Sequence, residues 1–186
     1  LLAASTHPNE EKLVSEIFKK LELEFSDLRL VLIPRHAERG DDVASILKEL
    51  KIPFHQRTNN KKVKGQIKCL LADTTGEMVS FINNAEIVIV GKSFTGNDEG
   101  QNIIEPALMG KAVIVGSQLR NFRQVLDIML KKNAILSVSD DELENAIREL
   151  LEDPERCKKL GATAKVTVTE HIGATQRTID IVKNFI

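Results

Sequence analysis

The sequence predicts an α/β domain: a parallel β-sheet with helices on both faces. Three observations predict it. Short β-rich apolar runs alternate with amphipathic stretches along nearly all of the 186 residues, the rhythm that places a helix between successive parallel strands. The length and the 42% hydrophobic content suit one domain that needs no disulfide or metal staple, since area scaling buries roughly 70% of the extended chain's surface at this size. Finally, the chain becomes helical from Asp140 onward, as a terminal helical segment over residues 140–186 of one 1–186 domain.

The elements follow in order. Strands are predicted at Leu1–Ala4, Arg29–Ile33, Phe54–Arg57, Ile67–Leu71, Ile87–Val90, Ala112–Val115 and Ile135–Val138. Between the first two, Leu13, Val14, Ile17, Phe18 and Leu21 share one helical face, and Val43, Ile46, Leu47 and Leu50 do so after the second. Met78, Val79, Phe81 and Ile82 repeat the pattern before the fifth strand, as do Val125, Ile128 and Met129 before the seventh. The polar, basic run Thr58–Gly65 lies between two strands with no helical pattern and reads as an exposed loop. Ser139 and Glu142 flank the start of the terminal helices. Asp153-Pro154 ends one and begins the next, because proline fits a first helical turn and not an interior. Gly161 and Gly173 read as lesser punctuation.

Composition excludes several functions. With 26 basic and 27 acidic residues and a net charge of −1, the chain has no electrostatic footprint for nucleic acid, and no basic run suits an anionic membrane. No apolar run reaches the roughly 18 residues that cross a bilayer, and no secretory signal opens the chain. Cys69 and Cys157, without a C-x-x-C or metal spacing, read as structural thiols of a reducing compartment. The first strand–helix turn lacks G-x-G-x-x-G, and no G-x-x-x-x-G-K-[ST] occurs, which removes dinucleotide and P-loop enzymes. The opening Leu-Leu-Ala-Ala-Ser-Thr, without Met and already strand-like, reads as a piece of a longer protein.

Ligands of open α/β sheets bind beyond the carboxyl ends of the strands, so the loops there are where chemistry is expected. Four stand out, all on one sheet edge. Ser5-Thr6-His7-Pro8-Asn9-Glu10-Glu11 reads first as a helix start, with a hydroxyl cap and acids favoured by the dipole, and second as an anion contact. Arg35, after a strand and the rigid Pro34, presents a planar guanidinium suited to phosphate or carboxylate, with His36 beside it. Gly76-Glu77 opens a helix. The stretch Gly91–Gly100 is polar and glycine-spaced, as close approach of backbone to ligand requires. Beyond it, Asn102 can cap the helix carrying Glu105, a carboxylate one turn in that can accept bonds from ribose hydroxyls.

Together, Ser5-Thr6-His7, Pro34-Arg35-His36, Gly76-Glu77, Gln101-Asn102-Ile103-Ile104-Glu105-Pro106 and Asn121-Phe122-Arg123 resemble the carboxyl-terminal half of the bacterial 3-deoxy-D-manno-octulosonic acid (Kdo) transferases, over essentially the whole chain. The resemblance implies a Rossmann-like domain that is one half of an inverting, metal-independent GT-B glycosyltransferase. The whole enzyme would move Kdo from CMP-Kdo to lipid IVA in lipopolysaccharide synthesis, at the cytoplasmic face of the inner membrane. It implies CMP contacts at Pro34, Arg35 and His36, at Thr75, Gly76, Glu77 and Met78, and at Asn102, Ile103, Ile104 and Glu105. It places the catalytic carboxylate, acceptor site and membrane anchor in an amino-terminal half outside this chain, so that this piece is soluble, binds CMP weakly and catalyses nothing alone. No cofactor is implied.

The chain departs from the family pattern where Glu99-Gly100-Gln101 stands in place of a Gly-Gly pair, with Asp98 adding a second acid. Two acids near an anionic donor repel it unless they turn to solvent or to a counter-charge such as Lys92. With no Tyr or Trp, only Phe, such as Phe94, can stack on a base. The residues alone also suit a UDP- or GDP-sugar GT-B transferase, or a non-catalytic nucleotide-binding module.

Overall fold

The computed structural model describes residues 1–59 and 65–171. Of the Thr58–Gly65 loop only Thr58, Asn59 and Gly65 are described, and Gly173 and the helical expectation beyond His171 fall outside.

All seven predicted strands form: β1 (Leu2–Thr6), β2 (Leu30–Pro34), β3 (Phe54–Gln56), β4 (Cys69–Leu71), β5 (Ile87–Val90), β6 (Ala112–Gly116) and β7 (Leu136–Val138). Every pairing is parallel, in the order β3-β4-β2-β1-β5-β6-β7. β4 inserts between β3 and β2, so β3 and β4 lie side by side in parallel with no helix between them among the described residues. The winding reverses at β1, flanked by β2 and β5. That makes the carboxyl ends of these three strands the topological switch point where ligands of such sheets bind.

Strand residues alternate between two cores because successive side chains leave opposite sheet faces. Ala3, Leu30, Leu32, Ile87, Ile89 and Ile114 face one core; Leu2, Ala4, Val88, Val90, Val113 and Val115 face the other. Helices α1 (Glu10–Leu21), α2 (Gly40–Glu49) and α6 (Asp140–Glu152) cover the first, with Val14, Phe18, Leu21, Val43, Leu47 and Ile147 buried. Helices α3 (Met78–Asn83), α4 (Ile104–Leu108) and α5 (Arg123–Lys131) cover the second. On α5, Leu126 and Met129 are buried and Val125 packs partly against the core, while Ile128 does not join it, and Val79 of α3 faces solvent.

α7 (Pro154–His171) begins at the predicted proline, and the Glu142 carboxylate accepts both the backbone N–H and the hydroxyl of Ser139 at the start of α6. Gly161 corrects the sequence reading: it breaks no helix. α7 passes from one core, through Leu160, to the other, through Ala164, and crosses the turn at Gly110, where a Cβ on Gly161 would stand 2.1 Å from the Gly110 carbonyl oxygen. Cys69 and Cys157 are buried free thiols, and burial pushes both pKa values up, away from the reactive thiolate.

Candidate functional site

β1 ends in an irregularity. Its pairing with β2 shifts between Ala4 and Thr6, and Ser5 there takes a left-handed φ of 55°. The kink sets Thr6 against Pro34, so that the Thr6 carbonyl accepts the Arg35 N–H at 2.9 Å and the Thr6 hydroxyl donates to Ile33 O at 3.3 Å. Thr6 is therefore buried and neither Ser5 nor Thr6 caps α1, contrary to the sequence expectation; the boundary residue is Asn9, itself left-handed at φ 75°.

The acids that open α1 also differ from expectation. Both are buried. The Glu11 carboxylate receives both terminal nitrogens of Arg39, at 2.6 and 3.4 Å. Glu10 accepts four backbone N–H groups, from His7, Lys92, Ser93 and Phe94, at 2.8 to 2.9 Å. Burial pushes its pKa up against the pull of those four bonds. An acid in a first helical turn looks the same in sequence whether it serves the dipole or a loop eighty residues away.

The Gly91 and Gly100 ends of the glycine-spaced stretch are packed against the chain itself. A Cβ on Gly91 would lie 2.3 Å from Ser5 O, and one on Gly100 2.5 Å from Leu119 Cγ, so these glycines serve internal packing, a correction to the expected ligand approach. Phe94 is 2% exposed in the core and has no face to offer a base, a second correction. The Asp140 carboxylate holds Thr95 N–H, and the Asp98 and Glu99 carbonyls accept N–H groups from Arg120 and from Asn121, which opens the Asn121-Phe122-Arg123 segment. Both acidic side chains find counter-charges: Glu99 pairs with Lys92, and Asp98 with Arg120 at 2.8 Å. Their charge is thereby largely cancelled.

Four predicted contacts meet. Arg35, Met78, Asn102 and Glu105 line one small pocket of about 80 Å³ at the switch point, with Ser5 and Gln101 completing its polar rim. Arg35 and Glu105 form no side-chain hydrogen bond or ion pair with each other or with any other described residue. Asn102 precedes the α4 boundary residue Ile103, and its side-chain oxygen accepts the Ile104 N–H at 3.0 Å. α4 is only five residues long, so its dipole contributes little to anion binding.

The other predicted residues stand apart from this pocket. Pro34 is buried, and Ile103 is fully buried in the second core, so either can reach a ligand only through its backbone. Ile104 packs partly against that core. His36 is exposed, 3.6 Å from Glu38 and edge-on to His7 with ring centroids 6.1 Å apart. Thr75 and Gly76 form an exposed tip, where Gly76 is left-handed at φ 84°, and Glu77 is held by the Thr74 hydroxyl and, at 3.0 Å, by Arg57.

His7 belongs to the Ser5-Thr6-His7 run, whose pattern alone assigns it no role. Its ring lies 3.2 Å from the Gln101 amide nitrogen, and partial burial followed by the nearby cations Lys92, His36, Arg39 and Arg35 hold its pKa below the ordinary value. A larger hollow of about 470 Å³ lies at the ends of β5, β6 and β7, lined by Asn97, Asp98, Gln118 and Asp140, and contains none of the predicted contacts. Among the described residues no group of three or more acids, histidines or cysteines is placed to hold a metal ion, and no helix is long and apolar enough to cross a membrane.

The loop carboxylates carry a pH dependence. The Thr74 hydroxyl and then Arg57 hold Glu77 below its ordinary 4.5, and Lys92 does the same for Glu99. The unfolded chain therefore takes up these protons at higher pH than the folded one, so the stability they contribute is present above the ordinary value and lost as pH falls from there. The thermal midpoint is expected to drop on acidification below about pH 4.5, and less steeply in a Glu77→Gln/Glu99→Gln double variant, in which neither group titrates. Identical acid profiles for the two proteins would contradict this.

A parallel Rossmann-like sheet, wound outward from β1 with a polar pocket at its switch point, is the architecture of one half of a GT-B glycosyltransferase, and the chain belongs to the "Glycosyl transferases group 1" family, whose profile matches residues 9–167. Within that class the likeness is to the Kdo transferases. The chain is 31% identical over its whole length to the 3-deoxy-D-manno-octulosonic acid transferase of Haemophilus influenzae, and 34% identical over 84% of its length to that of Bordetella pertussis. The solved C-terminal CMP-Kdo binding domain of WaaA from Acinetobacter baumannii superposes with a TM-score of 0.83 and 27% identity, over 90% of this chain and 87% of that one. The chain spans 44% and 37% of the two full-length relatives.

Proposed function

We propose that the chain is the donor-binding domain of a Kdo transferase, holding CMP-Kdo for transfer of Kdo to lipid IVA by an enzyme whose catalytic carboxylate and acceptor site lie in an amino-terminal half. That enzyme works with inversion, at the cytoplasmic face of the bacterial inner membrane. One observation carries the reading: two oppositely charged side chains, Arg35 and Glu105, line one switch-point pocket and pair with no described residue. A guanidinium and a carboxylate that line one small pocket would ordinarily pair with one another. Unpaired, they suit a ligand with an anionic group at one end and hydroxyls at the other, which describes a nucleoside monophosphate.

In this reading the Arg35 guanidinium takes the CMP phosphate through charge-assisted bonds, and the Glu105 carboxylate accepts the two ribose hydroxyls. Met78 supplies an apolar wall. Pro34, His36, Thr75, Gly76, Glu77, Ile103 and Ile104 complete the binding loops, the buried members through their backbones. CMP is also the leaving group. As the glycosidic C–O bond breaks, charge gathers on its phosphate, and a guanidinium bound to that phosphate stabilises the charge more than it stabilises the ground state.

Arg35→Ala is expected to weaken CMP binding by about 10- to 100-fold, the range for losing a bond to a charged group, while changing cytidine binding about twofold or less. Calorimetry with both ligands checks it. Equal losses for CMP and cytidine would take Arg35 off the phosphate.

A further inference from the structure

Among the described residues six non-glycine positions adopt a left-handed backbone, and four of them lie around Glu10: Ser5 at the end of β1, Asn9 in the β1–α1 turn, and Lys92 and Thr95 in the β5–α4 loop. Such conformations are unfavourable for residues with a Cβ and persist only where the surroundings over-determine them. Asp140 holds the Thr95 N–H, and the buried Glu10 carboxylate holds that of Lys92 together with its neighbours. One oxygen accepts the N–H groups of His7, in the β1–α1 turn, and Lys92, in the β5–α4 loop, each at 2.8 Å; the other accepts those of Ser93 and Phe94, each at 2.9 Å. Successive loop N–H groups converging on one anion form the kind of nest that elsewhere cradles phosphate. In this chain its own glutamate fills the nest, so a ligand phosphate has no place there.

We propose that Glu10 is the positioning residue of the donor site: its carboxylate clamps the β5–α4 loop onto the β1–α1 turn and so fixes Gln101, Asn102 and Glu105 relative to Arg35. The inference rests on the donor-site reading above. Glu10 itself touches no ligand. A glutamine is a sharp probe, because either orientation of its amide sets an NH2 donor against two backbone N–H donors.

Glu10→Gln is expected to shift or broaden the amide resonances of His7, Lys92, Ser93 and Phe94, to leave those of β3 and β4 in place, and to weaken CMP binding about tenfold or more, as displaced binding groups do. In that background Glu105→Gln should cost far less than in the parent, since the loop that leads to Glu105 is no longer held, while Arg35→Ala, carried on β2, should keep its full cost. A general loss of stability would lower both costs alike and would overturn the proposal. So would Glu10→Gln binding CMP as the parent does.

A measurement on the unaltered chain guards against a variant that does not fold: the amides of Lys92, Ser93 and Phe94 should exchange with solvent as slowly as those of β1 and β5. Fast exchange overturns the clamp whatever the chain binds. A parent chain that shows this protection and yet binds no CMP would overturn the donor-site reading instead, and with it the purpose assigned to the clamp.

Discussion

Glu105→Gln is expected to weaken CMP binding by about 10- to 100-fold and to leave the fold intact. A hydrogen bond to a charged group contributes about 1.5–3 kcal/mol, and the substitution removes the charge together with one acceptor while keeping the shape. The fold should not notice, because the Glu105 side chain bonds to no described residue. A partly exposed side chain with no such ties changes stability by about 0.5 kcal/mol or less. The deoxyribose ligand sharpens the test: dCMP lacks one of the two hydroxyls assigned to Glu105, so the substitution should cost it less than it costs CMP. Equal losses for CMP and dCMP would remove Glu105 from the ribose. Unchanged CMP affinity would remove it from the site.

Gly116→Ala is expected to produce the largest stability loss in the chain's binding edge. Gly116 ends β6, directly beneath the β5–α4 loop, and a Cβ there would stand 1.5 Å from the Ser93 carbonyl oxygen. Ser93 has nowhere to go. Its hydroxyl donates to Val90 O at 2.7 Å and accepts the Gly116 N–H at 3.0 Å, and its own N–H is committed to Glu10. A backbone collision that cannot relax by rotamer change costs about 3 kcal/mol or more. For a domain of this size that corresponds to a fall of about 6–12 °C in the thermal midpoint. Gly96→Ala in the same loop is the control: Gly96 is left-handed at φ 84° but a Cβ there meets nothing within 4 Å, so only backbone strain of about 1 kcal/mol is added. Equal midpoints for the two variants would show that the loop is not pressed onto β6.

The fold was legible because it rests on patterns local to each element. The runs Ile87–Val90 and Ala112–Val115 are apolar at every position, as strands covered on both faces must be, and the inward faces of α1 and α2 repeat at helical spacing. The break at Pro154 follows from one ring. What sequence did not reveal depends on distant partners. Nothing local distinguishes Glu10, buried against residues 92–94, from an exposed first-turn acid, and nothing in Gly91 or Gly161 says that the close neighbour is Ser5 or Gly110 rather than a ligand or a helix end. The insertion of β4 between β2 and β3 likewise follows from pairing, not from composition.

That four of the named residues would share one pocket was legible on similar grounds. Arg35, Met78, Asn102 and Glu105 come from the three connections after β2, β4 and β5 and meet in one pocket because each follows the carboxyl end of a strand on the same sheet edge. Phe94 follows such a strand too, but the glycine at 91 and the bonds to Glu10 fold it back into the core. The acids Asp98 and Glu99, read as a source of repulsion unless counter-charged, are paired with Arg120 and Lys92.

The most direct test of the donor-site reading is a titration of the isotopically labelled chain with CMP and, separately, with UMP, following backbone amide shifts. The account predicts shifts concentrated at Arg35, at Gly76 to Met78 and at Gln101 to Glu105, with tighter binding of CMP than of UMP. Tighter binding of UMP, or shifts gathered around the hollow lined by Asn97, Gln118 and Asp140 and absent from the Arg35 pocket, would contradict it.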